Sequence, residues 1–324
     1  MAGVVRTVLA SLALMALTAC DGGPPKTDGG GDWRSQVTEL RMSMSTDLDT
    51  DSGQAGRFDR FESYMTQATQ LPVRLYRVND YNSVIQAIAS GQLDVATMGG
   101  SAYANVDQQI GELAAPILTM RGGNGEMGYY SALIVRADSP FQSLADLRGR
   151  SLGFVDRNST SGYLMPLRAM QREGVDVDTY FSNTGITDGH PQAVMAVLNK
   201  QFDAAFVYIG GGTPETGFLA SVYGRMADRG LIPRGQLRDI WHVGPMPNSP
   251  FVMRTDRPQA YIDLVRGALA AMPFDEPEIW QSIGLIPGTT LPAVNREFYE
   301  EVIALRQEEI AAERANVAQK GSQP

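Results

Sequence analysis

The stretch Ser83-Val84-Ile85-Gln86-Ala87-Ile88-Ala89-Ser90-Gly91-Gln92-Leu93-Asp94-Val95-Ala96-Thr97 carries the fold. Val84, Ile85 and Ile88 form one apolar stripe at helical spacing, Gly91 stops the helix, and 93–98 reads as a buried strand. Asp80 is a good N-cap for the helix over 81–90. Upstream, 40–44 reads as a strand, 57–69 as a helix and 73–76 as a second strand. Strands and helices alternating in this way imply a mostly parallel sheet with helices on its faces.

The pattern recurs in Ala193-Val194-Met195-Ala196-Val197-Leu198-Asn199-Lys200-Gln201-Phe202-Asp203-Ala204-Ala205-Phe206-Val207. Each copy is an amphipathic helix, a tight turn, an apolar-Asp pair and a strand. Two α/β lobes of similar topology follow, with strand ends facing a crevice, where open α/β sheets place ligands. A strand over 130–135 carries the chain into lobe two, 143–149 is a capped short helix, and 151–155 is a strand. Strands at 241–243 and 251–253 are expected to return toward lobe one. Segment 256–272 is helical, and a terminal helix over 298–318 either packs on the body or makes a dimer contact. The expected division is 37–130 for the first part of lobe one, 131–240 for lobe two and 241–324 for the return.

Before the body, an apolar run from Thr7 to Ala16 has the length of a signal-peptide core and ends at Leu17-Thr18-Ala19-Cys20. Cys20 is the one cysteine of the chain. The segment resembles a bacterial lipoprotein signal over 1–20, in which this cysteine is lipidated; Asp21 then points to the outer face of the inner membrane. Residues 21–36 begin Asp-Gly-Gly-Pro-Pro and read as a flexible tether.

The 324 residues hold 27 basic and 36 acidic side chains, a net charge of −9, with no basic patch. Nucleic-acid binding, which needs clustered Lys and Arg, is poorly supported. Two histidines and one cysteine leave little for a zinc or iron site, and no cofactor is expected.

The chemistry concentrates in Phe154-Val155-Asp156-Arg157-Asn158-Ser159-Thr160-Ser161-Gly162-Tyr163. A strand ends, a polar turn follows, and three hydroxyl residues open a helix. Unpaired N–H groups and the positive end of the helix dipole attract an anion there. The same residues also serve as a plain helix cap, and both readings stay open at this point. Gly162 is expected to let the backbone approach a ligand, and Pro166 to shorten or bend the first turn. In Thr187-Asp188-Gly189-His190-Pro191, His190 is expected at an N-cap with Pro191 at N1, where the dipole favours a neutral, hydrogen-donating imidazole. Tyr81, in the first turn of its helix, and Tyr130, near the lobe crossing, complete a cage of neutral donors.

Several segments, in order, resemble the substrate-binding proteins of phosphonate and phosphite ABC transporters. They include Asp80-Tyr81-Asn82-Ser83-Val84-Ile85, Tyr129-Tyr130-Ser131-Ala132-Leu133-Ile134-Val135 and Leu144-Ala145-Asp146-Leu147-Arg148-Gly149. Asn158-Ser159-Thr160-Ser161-Gly162-Tyr163, Gly189-His190, Asp203-Ala204-Ala205 and Pro247-Asn248-Ser249-Pro250 continue the match. The resemblance implies a two-lobed periplasmic-binding-protein clamshell, type II-like, with the ligand in the interlobe cleft and an ABC permease as partner. It implies that Ser159, Thr160, Ser161 and His190 hold the phosphonyl oxygens and that Tyr81 and Tyr130 touch the ligand. Ser101 and Tyr103, past the edge of a lobe-one strand, and Tyr208 are expected to line the same pocket.

One departure bears on the ligand. Binders of aminoalkyl phosphonates place acids in the cleft, yet after Val207-Tyr208-Ile209 no acid appears until Glu215, and Ser249 stands where Asp is common. Burying an ammonium without a partner is costly, so phosphite, methylphosphonate or a related phosphonate is preferred, with phosphate or an aminoalkyl phosphonate as alternatives. A sensor feeding a membrane kinase would use the same clamshell. A phosphoester-acting enzyme is disfavoured by the lack of a G-x-S-x-G elbow.

Overall fold

The computed structural model describes residues 33–44, 55–77, 80–283 and 288–321. The lipoprotein-like signal, Cys20 and most of the expected tether lie outside these residues. The tether as expected to 36 is too long: Trp33–Ser35 form a 3₁₀ turn on the body. Arg34 donates to the Thr69 and Gln70 carbonyls, and Trp33 packs against Tyr261.

The strands are β1 (Leu40–Ser43), β2 (Val73–Tyr76), β3 (Val95–Thr97), β4 (Ala114–Thr119), β5 (Gly128–Arg136), β6 (Ser151–Phe154), β7 (Asn183–Ile186), β8 (Ala204–Gly210), β9 (Ala220–Ser221), β10 (Leu237–Pro247) and β11 (Pro250–Arg254). The helices are α1 (Ala55–Thr69), α2 (Tyr81–Ala89), α3 (Gly100–Ile110), α4 (Met165–Arg172), α5 (Val177–Tyr180), α6 (His190–Leu198), α7 (Val222–Asp228), α8 (Gln259–Asp275), α9 (Pro277–Ser282) and α10 (Glu300–Gly321).

Two sheets result, ordered β2-β1-β3-β11-β4 and β7-β6-β8-β5-β10, with β9 on β8. The orders correspond strand for strand. In each, three parallel strands meet an antiparallel fourth, and a fifth runs antiparallel to that. The sheets are therefore mixed rather than mostly parallel. The reason is the crossing: β5 and β11 enter their sheets from the other lobe and so run against the strands already there.

The repeat seen in the sequence is physical. Asp94 Oδ2 accepts from the Arg41 amide at 3.0 Å, and Asp203 Oδ2 accepts from the Ser151 amide at 2.9 Å. Each aspartate thus pins the strand that follows it to the first strand of its βαβ unit. Asp94 is 1% exposed and also pairs with Arg41 and Arg257, which offsets the cost of burying its charge.

Lobe one has a core on each face of its sheet. One packs under α1, α8 and α9 around Phe61, Met65, Leu269 and Trp280; the other packs under α2, α3 and α10 around Ile88, Tyr103 and Tyr299. Lobe two is layered likewise, with Val194, Val207 and Val222 on one face and Leu147, Phe154 and Phe206 on the other.

The strand holding Trp241-His242-Val243 does not return to lobe one. It is β10, paired antiparallel with β5 as the edge of the second sheet. The return is made by β11, after the proline-flanked turn at 247–250. Two similar apolar runs bracket that turn, and their sequences do not say which side of the crossing each occupies. The expected boundary at 130/131 falls inside β5.

The terminal helix packs on the body. Val302 and Ile303 bury against lobe one, while Arg168 of lobe two donates to Leu305 O at 3.2 Å and Arg157 pairs with Glu313 at 2.6 Å. α10 therefore straps both lobes.

Candidate functional site

The hydroxyl loop is shaped by Pro166. A residue with an N–H at 166 would bond to Gly162 O in an α-helix; proline has none. The chain instead makes a π turn over Thr160–Leu164, with the Met165 amide donating to Thr160 O, before α4 begins. Two carbonyls are thereby released. Gly162 O accepts from the Val155 amide at 3.0 Å, and Ser161 O accepts from Ser131 Oγ at 2.6 Å. These bonds fasten the loop to the ends of β6 and β5.

Ser159 is the N-cap: its Oγ accepts from the Gly162 amide at 3.0 Å. That bond uses a lone pair and leaves the hydroxyl proton to donate elsewhere. The cap and the anion-facing hydroxyl are thus compatible in one residue. Gly162 has a different reason from the expected one. A Cβ there would stand 2.3 Å from Val155 Cβ, so the glycine lets the loop pack on β6 rather than letting a ligand approach.

Thr160 crosses the cleft. Its Oγ1 accepts from the Ser101 amide, in the first turn of α3, at 2.9 Å. Gly99 permits this approach, because a Cβ on it would also be 2.9 Å from Thr160 Oγ1. The α3 N-terminus of lobe one and the hydroxyl loop of lobe two therefore face each other. Ser159, Thr160 and Ser161 are each 2% exposed or less. Ser101 is fully buried, and among the described residues its Oγ has no hydrogen-bond partner.

His190 opens α6 as its first residue, with Gly189 as N-cap and Pro191 one place later than expected. It is 4% exposed, and its Nδ1 accepts from the Tyr208 amide at 3.3 Å. Nδ1 is therefore unprotonated, and the neutral ring carries its hydrogen on Nε2 as a donor. The imidazole meets the Tyr208 ring edge-on at 4.9 Å, and the Arg225 guanidinium lies 4.9 Å from the other centroid of that contact, the Tyr208 ring. Tyr208 pairs in register with Ser131, the residue that holds Ser161. Sheet register thus links His190, Tyr208 and the hydroxyl loop.

Tyr130, on β5, packs edge-on against Phe218 at 5.2 Å. Burial, with smaller contributions from Glu126 and Glu215, raises its pKa. Tyr81 packs against a core of each lobe and so spans the cleft. Tyr103, two residues after Ser101 on α3, has a buried hydroxyl with no hydrogen-bond partner among the described residues. It is fully buried in the lobe-one core against Tyr299, and burial and then the Asp107 carboxylate hold its hydroxyl above the usual range. Asp107 lies one turn further along α3, away from the end that Thr160 meets.

Sequence reasoning passed over Ser131, Asn105, Phe218 and Arg225. Asn105 carried a readable signal: it is four residues after Ser101 and shares its helix face. Among the described residues, no cluster of His, Cys, Asp and Glu could hold a metal ion, and no helix is long and apolar enough to cross a membrane.

Comparison with known proteins agrees with this architecture. The family model described as ABC transporter, phosphonate, periplasmic substrate-binding protein matches residues 49–290. The phosphate-import protein PhnD of Mycolicibacterium smegmatis is 26% identical over 257 residues, 76% of this chain and 75% of that protein. The phosphonates-binding periplasmic protein of Escherichia coli is 30% identical over 195 residues, 59% of this chain and 53% of that one. The structure of PhnD1 from Prochlorococcus marinus in complex with methylphosphonate superposes with a TM-score of 0.69 at 15% identity, covering 84% of this chain and 98% of that one. A binding-protein component of an ABC phosphonate transporter from Pseudomonas aeruginosa gives 0.66 at 20% identity, covering 88% and 99%. With two matching lobes, a hydroxyl-lined cleft and a family model spanning most of its length, the chain belongs to the periplasmic substrate-binding proteins of phosphonate-type ABC transporters.

Proposed function

We propose that this receptor captures a small phosphorus oxyanion, phosphite, methylphosphonate or a related phosphonate, by closing its lobes on it, and delivers it to an ABC permease. Ser159, Thr160, Ser161 and His190 hold the oxygens from lobe two, and Ser101 meets them from lobe one. Tyr81, Tyr130 and Tyr208 form the wall around the rest of the ligand. Tyr103, whose buried hydroxyl is also without a partner among the described residues, stands with Ser101 on the lobe-one side. The observation that carries the reading is the contact of Thr160 with the α3 N-terminus, beside the buried and unpartnered Ser101 hydroxyl. Neutral donors and a helix dipole from two sides suit an anion that must also be released.

The surroundings argue against a cationic tail. Arg225 lies over Tyr208, and the carboxylate of Glu215 near Tyr130 is exposed to solvent. An ammonium group would meet a cation on one side and, on the other, the carboxylates of Glu126 and Glu215, of which Glu215 is solvated. Phosphate is the second reading, favoured by the Mycolicibacterium smegmatis relative, which is named for phosphate import. A calorimetric panel of phosphite, methylphosphonate, phosphate, 2-aminoethylphosphonate and sulfate tests both readings. Tightest binding of 2-aminoethylphosphonate would overturn the ligand preference, and binding of none would overturn the site.

Lipidation at Cys20 would tether the receptor to the outer face of the inner membrane. Release of Cys20→Ser from the membrane fraction tests it. A dimer through α10 would have to use its outward face, because the inward face is covered by the body.

A further inference from the structure

Asn158 belongs to lobe two and stands one residue before the hydroxyl triplet, yet its side chain is gripped by two helices of lobe one and by α10, which touches both lobes. Its Nδ2 donates to Asn82 Oδ1 on α2 at 3.1 Å, and its Oδ1 accepts from Asn105 Nδ2 on α3 at 2.7 Å. Arg306 Nη2 on α10 reaches the same oxygen at 3.5 Å. Asn105, Asn158 and Arg306 are 9%, 8% and 6% exposed, so the junction is shielded from water, with Asn82 at its rim. The Asn158 amide donates to Asp156 Oδ1 at 2.7 Å, which fixes the turn that presents the side chain. A carboxamide can donate to one helix and accept from another at once, as this position requires.

We propose that Asn158 is a positioning residue that sets the opening–closing equilibrium of the cleft, acting on ligand affinity without touching the ligand. The proposal rests on the anion-site reading above. Opening the lobes breaks the Asn82 and Asn105 bonds and returns their groups to water. The net difference per bond is small, which suits a latch that must open again. Arg306 keeps the latch from locking. Among the described residues its Nε and Nη1 find no acceptor, so opening hydrates a poorly paired guanidinium and opposes the two amide bonds. A receptor that binds tightly only when closed has an apparent affinity scaled by its closed fraction. Asn158 therefore changes the affinity for every ligand by one common factor, whereas the hydroxyl triplet discriminates among them.

The test compares wild type, Asn158→Ala, Asn105→Ala and the double variant by calorimetry and stopped-flow dissociation with phosphate, phosphite and methylphosphonate. Each single change is expected to weaken all three anions by the same factor, about 2- to 10-fold, through faster dissociation. The double variant loses less than the product of the singles. Asn82→Ala, on the rim, replaces Asn158→Ala if the latter fails to fold, with the same single-factor loss expected. Factors that differ among the anions, or affinities and dissociation rates equal to wild type, overturn the latch. If wild type binds none of the three anions, the site reading fails and X-ray scattering judges the latch alone. A larger radius of gyration for Asn158→Ala than for ligand-free wild type then keeps it, and equal radii overturn it.

Discussion

Thr160 Oγ1 and the Ser101 amide, 2.9 Å apart, join the hydroxyl loop of lobe two to the α3 N-terminus of lobe one. Thr160→Val keeps the side-chain volume and removes the acceptor and donor. It is expected to weaken oxyanion binding about 10- to 100-fold, the equivalent of one hydrogen bond to a charged group. Ligand-free melting is expected to fall by no more than the cost of one buried amide left without its acceptor, about 1–3 kcal/mol. Calorimetry beside a thermal melt reads both.

Gly162→Ala separates two explanations for that glycine. The added methyl would stand 2.3 Å from Val155 Cβ and 2.8 Å from Ser159 Oγ. Overpacking of this kind costs about 1–3 kcal/mol, so the melting temperature is expected to fall together with affinity. A variant that lost affinity at an unchanged melting temperature would restore ligand approach as the reason for the glycine.

The lobes and the hydroxyl loop were legible in the sequence for a physical reason. Val84, Ile85 and Ile88 recur at helical spacing, and Asp94 and Asp203 close equivalent turns, so local pattern and tertiary role coincide. The placement of β10 was not legible, since 241–243 and 251–253 are both apolar and only pairing with β5 or β4 tells them apart. Tyr103 follows Gly99-Gly100-Ser101 closely in sequence, and its ring packs against Tyr299 in the lobe-one core. Asn158 was visible as part of a polar turn, while its partners Asn82, Asn105 and Arg306 come from three helices far apart in the chain.

His190→Phe keeps a ring and removes both nitrogens. The Tyr208 amide then loses its acceptor inside a nearly buried site. A cost of about 1–3 kcal/mol in stability is expected, together with loss of oxyanion binding. Nitrogen chemical shifts of the wild-type ring should report hydrogen on Nε2 at neutral pH. Hydrogen on Nδ1 would contradict the Tyr208 contact.

Acid should weaken the fold through Asp256. The hydrogen bond from Arg254, against an opposing desolvation, holds its carboxyl below the usual range. A depressed folded pKa contributes stability that is present above the unfolded value and is lost as pH falls through the folded one. Urea melts at pH 6 and at pH 3 should show the loss, and Asp256→Asn should reduce its slope. At neutral pH that substitution is expected to cost about 1 kcal/mol, because the carboxylate is partly solvated.

Pro166→Ala tests whether the loop owes its shape to a missing N–H. With alanine, the amide at 166 can bond to Gly162 O, and the π turn can relax toward α geometry. Gly162 O then competes between that amide and the Val155 amide, which it now accepts at 3.0 Å. Pro166 stands in the first turn of α4 and is buried, so ligand-free melting is expected to stay level or fall slightly. Affinity should nonetheless fall about tenfold or more, since displacing Thr160 forfeits at least one hydrogen bond to a charged oxygen. A large loss of affinity beside a small change in melting would identify Pro166 as a shaper of the site. A variant that bound as tightly as wild type would show that Ser131 and Val155 hold the loop without it.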